Sequence, residues 1–297
     1  MNQSKLELFE RENPELSEFF KANSGKRLYY YANAGNGGDC LIAAATYQLL
    51  KAYKIEIEIS FEPQRLNSET VLLAGGGNLV PLYGGMGKVI KQLAGRGNRI
   101  IVLPHSIRGL DELLVNLEPT AILFCRELET YEYVKQSGTP ATAYLSHDLA
   151  LYLDLDLLRD SVDASAAQVE FDRLLSENKI DRTNFVGKNV SCMRHGVEKT
   201  VIPKGPNFDI SVVFQTGTVP GKAELGAWMM LEFCRLAAEI TTNRLHIGIA
   251  SVLVGTKTIM MDNSYGKVSS IYKHSVVGRF TDVEFVGEER KMWGAES

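Results

Sequence analysis

The stretch with the most chemistry in it is Thr241-Thr242-Asn243-Arg244-Leu245-His246, followed by a run of small and apolar residues. Arg244 and His246 stand two apart, between a run that reads as a strand and one that reads as a helix. Both side chains can then face a pocket at the strand end, where the first N–H groups of a helix attract anions. A guanidinium there stays charged and would hold the anion. An imidazole titrates near neutral pH and can pass a proton. A lone histidine is usually structural; the adjoining arginine and the strand-end position argue for function here.

Three other stretches could join in. Asn33-Ala34-Gly35-Asn36-Gly37-Gly38-Asp39 follows a strand pattern and precedes a helix pattern. Its glycines would let backbone approach a ligand. Asp39 reads either as a helix cap or as a base for a substrate hydroxyl. Gly75-Gly76-Gly77-Asn78 is again at a strand end, as a tight turn or as a close approach to a bound group, with Gly76, Gly77 and Asn78 as binding candidates. Arg126 also follows a strand directly and could grip a carboxylate or phosphate with two parallel bonds, or pair on the surface with Glu127 or Glu129. Arg194 and Lys267 are further candidate cations, and Asp148 reads as a turn or cap. No GxGxxG, P-loop, GxSxG or CxxC pattern occurs, and no His/Asp/Glu spacing suits a metal. Neither cofactor nor metal is expected.

The elements that must position these residues alternate. Strand patterns at 27–32, 55–60, 71–74, 99–103, 121–124 and 141–145 are separated by helical patterns at 41–50, 86–93 and 128–135. Pro104 is expected to stop its strand. The second half continues with strand candidates at 190–193, 210–214, 239–242 and 258–261, and helices at 224–238 and 245–253. This order implies an α/β fold with parallel sheets covered on both faces. A polar segment at 160–168 suggests two domains, 1–160 and 161–297, with a cleft between them. Ligands in such folds bind at the carboxyl ends of strands.

Composition narrows the function classes. The 297 residues are 45% hydrophobic and 23% charged, which suits globular cores rather than disorder. With 32 basic against 36 acidic residues and no basic block, charge-driven nucleic-acid binding is not expected. Cys40, Cys125, Cys192 and Cys234 are far apart and read as reduced, buried thiols. The first 20 residues are amphipathic with mixed charge, unlike a secretory signal, and no apolar window is long enough to span a membrane. A cytoplasmic setting is expected, with peripheral membrane contact left open.

In order and spacing, NAGNGGD at 33–39, LLAGGGNL at 72–79, IIVLPHS at 100–106, CRELET at 125–130 and TNRLHIGIASVLVGTKTIMMDNSYGK at 242–267 resemble the polysaccharide pyruvyl transferase family. The resemblance covers residues 27–275. It implies two Rossmann-like domains in a GT-B-like arrangement. It also implies transfer of pyruvate from phosphoenolpyruvate to a sugar of an exopolysaccharide, capsule or cell-wall glycan as a ketal. The family's functional residues fall on Arg126, Arg244 and His246, with Arg244-Leu245-His246 contacting phosphoenolpyruvate. His105 stands where relatives often carry Gln, and HGVE after Arg194 departs from an RxDxE pattern. By this reading His246 donates a proton or helps phosphate leave, and Asp39 positions or deprotonates a hydroxyl. A lipid-linked acceptor would bring the protein to a membrane face through its amphipathic N-terminus. Two alternatives stay open: a GT-B glycosyltransferase using a nucleotide sugar, and a non-enzymatic sugar- or anion-binding module.

Overall fold

The computed structural model describes residues 1–194, 206–262 and 266–287. Internal contacts divide the chain into two compact units. The first takes residues 1–35, 39–161 and 217–224; the second takes 36–38, 162–216 and the remainder from 225.

The first unit is built on a seven-stranded parallel sheet of β1 (Arg27–Tyr31), β2 (Glu56–Ile59), β3 (Thr70–Leu73), β4 (Gly76–Leu79), β5 (Arg99–Ile107), β6 (Ile122–Cys125) and β7 (Thr142–Leu145). The order is β2-β1-β3-β5-β6-β7, with β4 also pairing β5. Helices α1 (Gln3–Glu12), α2 (Pro14–Ala22), α3 (Gly37–Ala52), α4 (Gly85–Leu93), α5 (Asp111–Val115), α6 (Leu128–Gln136) and α7 (Leu155–Ser161) accompany these strands. The chain runs outward from β1 to β2, then returns to lay β3 on the other side of β1. The loops after β1 and β3 therefore diverge at the switch point, where α/β sheets leave room for ligands. Central strands read as unbroken apolar runs because both faces are buried; all but the first residue of β5 are buried. The alternating sequence of β2 belongs to an edge strand.

The second unit has a four-stranded parallel sheet of β8 (Asn189–Ser191), β9 (Glu239–Thr242), β10 (Lys257–Met261) and β11 (Val283–Val286), in the order β11-β10-β9-β8. Its helices are α8 (Ala164–Glu177), α9 (Ile210–Val213), α10 (Lys222–Leu236), α11 (Leu245–Leu253) and α12 (Lys267–Ile271); the first turn of α10 groups with the first unit.

Four local differences from the sequence reading have physical causes. Where a strand is expected at 210–214, residues 210–213 form a short helix, α9. Their β-branched run suggests a strand, but packing decides: Phe214 is fully buried and stacks on Phe171 at 5.3 Å. Pro104 lies inside β5 instead of ending it. Its missing N–H falls where β3 ends as a partner, at Leu73↔Val102, and β4 takes over, at Gly76↔His105. The ladder to β6 shifts register at the same place. The glycines after β3 do not only turn, since Gly76 opens β4. Finally, the amphipathic N-terminus packs inward. Phe9 and Phe20 are fully buried and meet Tyr53, and Phe9 also meets Tyr152. Among the described residues no helix is long and apolar enough to cross a membrane.

Candidate active site

In the first unit, the sheet's switch point holds a chain of polar side chains. Asn33 follows β1 and is buried. Its Nδ2 donates to Asp39 Oδ1 at 3.2 Å, and its Oδ1 accepts from Asn78 Nδ2 at 2.7 Å. Asn78 lies on β4 with its Oδ1 2.9 Å from His105 Nε2, and its backbone N–H is 3.2 Å from the same nitrogen. His105, fully buried on β5, places Nδ1 3.2 Å from the Ala74 carbonyl. Asp39 sits half-buried in the first turn of α3, where a carboxylate also suits the helix dipole. Asn36 Oδ1 accepts from the Gly38 N–H at 2.8 Å in the same turn.

Gly76 is what allows these side chains to converge. Its φ of 151° is a conformation that suits only glycine, and a Cβ there would lie 3.1 Å from Asn33 Nδ2 and 3.5 Å from Asp39 Oδ1. Gly75 is equally confined, by the Pro104 carbonyl at 2.8 Å. The space beside these two glycines is thus filled by the protein's own groups.

Arg126 follows β6 and is fully buried. Its Nη1 donates to Asp148 Oδ2 at 2.7 Å and its Nε to Ser106 Oγ at 2.9 Å. Glu127 Oε2 is 3.7 Å from Nε and accepts from Ser106 at 3.0 Å, while Thr130 donates to Oε1. Asp148 also caps a 3-10 turn by accepting from the Ala150 N–H. The expected surface pairing is instead a buried one with Asp148 foremost. Arg126 Nη2 is buried without a hydrogen-bond partner.

In the second unit, β9 ends at Thr242 and α11 begins at Leu245. Arg244 occupies the cap position between them, and its side chain is 9% exposed. Asp209, at the start of α9, holds it: Nη2 donates to Oδ2 at 2.5 Å and Nε is 2.5 Å from Oδ1. The backbone is fixed as well, since Thr242 Oγ1 accepts from the Arg244 N–H at 3.0 Å and donates to the Cys192 carbonyl at 2.6 Å. Beside it, Asn243 Oδ1 accepts from the Arg194 N–H at 2.7 Å, which ties the end of β8 to the end of β9. His246 is half-buried in the first turn of α11. Residues 36–38 belong to this unit, and Gly38 lies against the imidazole: a Cβ there would be 2.8 Å from Nδ1. Gly37 is similarly close to Met230, at 2.6 Å from Sδ. The small residues of α11 serve packing on β10, because a Cβ at Gly248 would meet Met260 at 2.6 Å.

The candidates thus fall into groups by unit. Asp39, Gly76 and Asn78 meet at the switch point of the first sheet, Gly77 lies beside them on β4, and Arg126 follows β6 of the same sheet. Arg194, Arg244, Leu245 and His246 gather at the ends of β8 and β9. Lys267 opens α12, and its side chain lies outside the described residues, as do His195–Glu198 and Tyr265. Sequence reasoning missed Asn33, His105 and Asp209 as partners of these groups. The first two sit in the quoted motifs; Asp209 is 35 positions from Arg244 and carries no local signal.

The family model for polysaccharide pyruvyl transferase matches residues 36–265. A crystal structure of a functionally uncharacterised protein from Klebsiella pneumoniae is similar with a TM-score of 0.73 and 25% identity, covering 96% of this chain and 99% of that one. No curated protein matches the sequence. The family match spans well over half of the chain, from the glycine turn before Asp39 to beyond His246, and the chain belongs to the polysaccharide pyruvyl transferase family.

Proposed function

We propose that the protein transfers the pyruvate unit of phosphoenolpyruvate to two hydroxyls of a sugar in an exopolysaccharide, capsule or cell-wall glycan precursor, forming a ketal and releasing phosphate. The GT-B-like pairing of the units and a cytoplasmic setting, with a lipid-linked acceptor reached at the membrane face, belong to the same proposal. The observation that carries it is the Arg244-Leu245-His246 turn: a fixed guanidinium and an imidazole at the N-terminus of α11. That environment favours an anion through the helix N–H groups and the dipole, with a guanidinium, part of whose charge Asp209 offsets, at the same turn.

In this reading Arg244 binds phosphoenolpyruvate, with Leu245 at the same turn. Arg126, through Nη2, and Arg194 and Lys267 are further cations for its carboxylate and phosphate. Protonation of the methylene carbon makes the neighbouring carbon oxocarbenium-like. One sugar hydroxyl adds there and gives up its proton, phosphate leaves with the C–O bond electrons, and the second hydroxyl closes the ring with loss of its proton. His246 is the proton donor or the acid that assists phosphate. Asp39 positions or deprotonates the hydroxyl, beside Gly76, Gly77 and Asn78.

Thermal stability with phosphoenolpyruvate, UDP and CMP in separate samples tests this. A ligand at about 100 times its dissociation constant adds roughly 2.7 kcal/mol, a rise of several degrees. The expected result is a rise with phosphoenolpyruvate that is lost in Arg244→Ala. A rise with UDP or CMP alone would replace this reading with glycosyl transfer.

A further inference from the structure

We propose that Asn243 and Asn207 are positioning residues for Arg194: they hold its backbone beside Arg244, so that the two arginines serve one anion. The inference rests on the reading of both arginines as cations for phosphoenolpyruvate. All of these residues belong to the second unit.

The register of β8 against β9 sets the pairing. Asn189 lies opposite Glu239, Val190 opposite Ile240 and Ser191 opposite Thr241, an offset of 50 positions. Carried past the end of β8, the same offset puts Arg194 opposite Arg244. Side chains keep the chain on that course where the ladder stops. The Cys192 N–H still donates to the Thr241 carbonyl at 2.8 Å, and the Cys192 carbonyl accepts from Thr242 Oγ1 at 2.6 Å. At Met193 one amide serves both backbone groups. Asn207 Oδ1 accepts from the Met193 N–H at 2.6 Å, and Asn207 Nδ2 donates to the Met193 carbonyl at 2.9 Å. At Arg194 the N–H donates to Asn243 Oδ1 at 2.7 Å.

Each of these bonds has one sense. A backbone N–H only donates and a backbone carbonyl only accepts. Asn207 therefore presents its oxygen to one Met193 group and its nitrogen to the other, and Asn243 presents its oxygen to Arg194. Both amides are themselves anchored. Asn207 bridges to Ser191, and the next N–H, of Phe208, donates to the Ser191 carbonyl at 2.9 Å. Asn243 is buried between Thr242, which ends β9, and Arg244. The side chain that fixes Arg194 thus belongs to the chain neighbour of Arg244. Like charges set opposite each other on adjacent strands are unfavourable. Asp209 offsets part of the Arg244 charge, and an anion shared by the two arginines would offset more.

Amide hydrogen exchange and calorimetric titration with phosphoenolpyruvate, both on the full chain, test this. The Arg194 N–H is expected to be protected in the native protein and to lose that protection in Asn243→Ala. The same variant is expected to bind phosphoenolpyruvate about 10-fold more weakly. In an Arg194→Met background Asn243→Ala is expected to cost nothing further, because its effect passes through Arg194. A folded Asn243→Ala protein with native affinity would overturn the proposal. So would a loss that persists in full in the Arg194→Met background, since the effect would then lie on Arg244. If Asn243→Ala does not fold, Asn207→Leu decides by the same comparison with Arg194→Met. Absence of phosphoenolpyruvate binding by the native protein would defeat the reading of the ligand, and exchange at Arg194 then decides the positioning alone. A native N–H without protection, or one equally protected in Asn243→Ala, would overturn it.

Discussion

Asp209 grips Arg244 from one side, with its two carboxylate oxygens each 2.5 Å from a guanidinium nitrogen. The candidate anion-binding arginine therefore already holds a carboxylate from its own unit. Both side chains are more than nine-tenths buried, so the pair is shielded from solvent. Removing one partner of a buried pair costs about 3–5 kcal/mol. Asp209→Ala is expected to lower the thermal midpoint by several degrees, and phosphoenolpyruvate to restore more stability to this variant than it adds to the native protein. Calorimetry with and without the ligand checks this. A smaller shift in the variant would mean that Arg244 needs Asp209 to bind.

Gly38 is expected to be intolerant of a side chain. An added Cβ would be 2.8 Å from His246 Nδ1 and 2.9 Å from its Cβ, so the imidazole must move. A displacement of about 1 Å can cost roughly 100-fold in rate. Gly38→Ala should therefore reduce phosphate release in the presence of an acceptor glycan by about that factor. Its effect on folding should be modest, because alanine gains about 1 kcal/mol over glycine inside a helix and offsets part of the crowding. A stopped phosphate assay on a normally folded variant is the measurement; native turnover would show that His246 tolerates the shift.

Arg126 should behave first as part of the fold. It is fully buried, with Asp148 at 2.7 Å and Glu127 at 3.7 Å. Arg126→Ala is expected to lose about 3–5 kcal/mol in urea unfolding, and Arg126→Ala with Asp148→Ala to lose less than the two single changes summed. A loss below about 1 kcal/mol with the phosphoenolpyruvate shift abolished would assign the side chain to ligand alone.

The thiols should be silent in the native protein. All four cysteines are buried and outside any disulfide. Burial pushes the Cys234 thiol up to about 12. Burial, with the nearby Glu127 charge, raises Cys125 further, and burial raises Cys192 well above the usual range. Only the thiolate reacts. Near pH 8, a colorimetric thiol reagent is expected to find no fast-reacting group in native protein and four after denaturation. A fast native reaction would place one thiol at the surface.

The legible parts of the fold were those where local pattern and packing agree. The apolar runs of β5 and β6 and the helical patterns of α3, α4 and α10 lie within a few residues of where the sequence puts them. The motifs also mark the strand ends correctly at Asn33, Arg126 and Arg244. What stayed hidden depends on distance along the chain. Asp209 is chosen by the fold, and so is the helix after it, which Phe214 stabilises against its β-branched sequence. Pro104 misled because the exchange of partner strands that accommodates it is a tertiary event. The glycines showed that backbone must come close to something, but not that the neighbours are Met230, His246 and Pro104.

The return of residues 217–224 to the first unit sets an order on its birth. Thr218 Oγ1 donates to the Asn33 carbonyl at 2.7 Å, and the Thr218 carbonyl accepts from Tyr47 at 2.6 Å. Both bonds reach back more than 170 positions, to the loop that leads to Asp39 and the helix that follows it. A ribosome that has released only the first 161 residues has therefore delivered a sheet but not its last clasp. The first unit becomes complete only after much of the second has been synthesised, so no single cut in the gene separates the two.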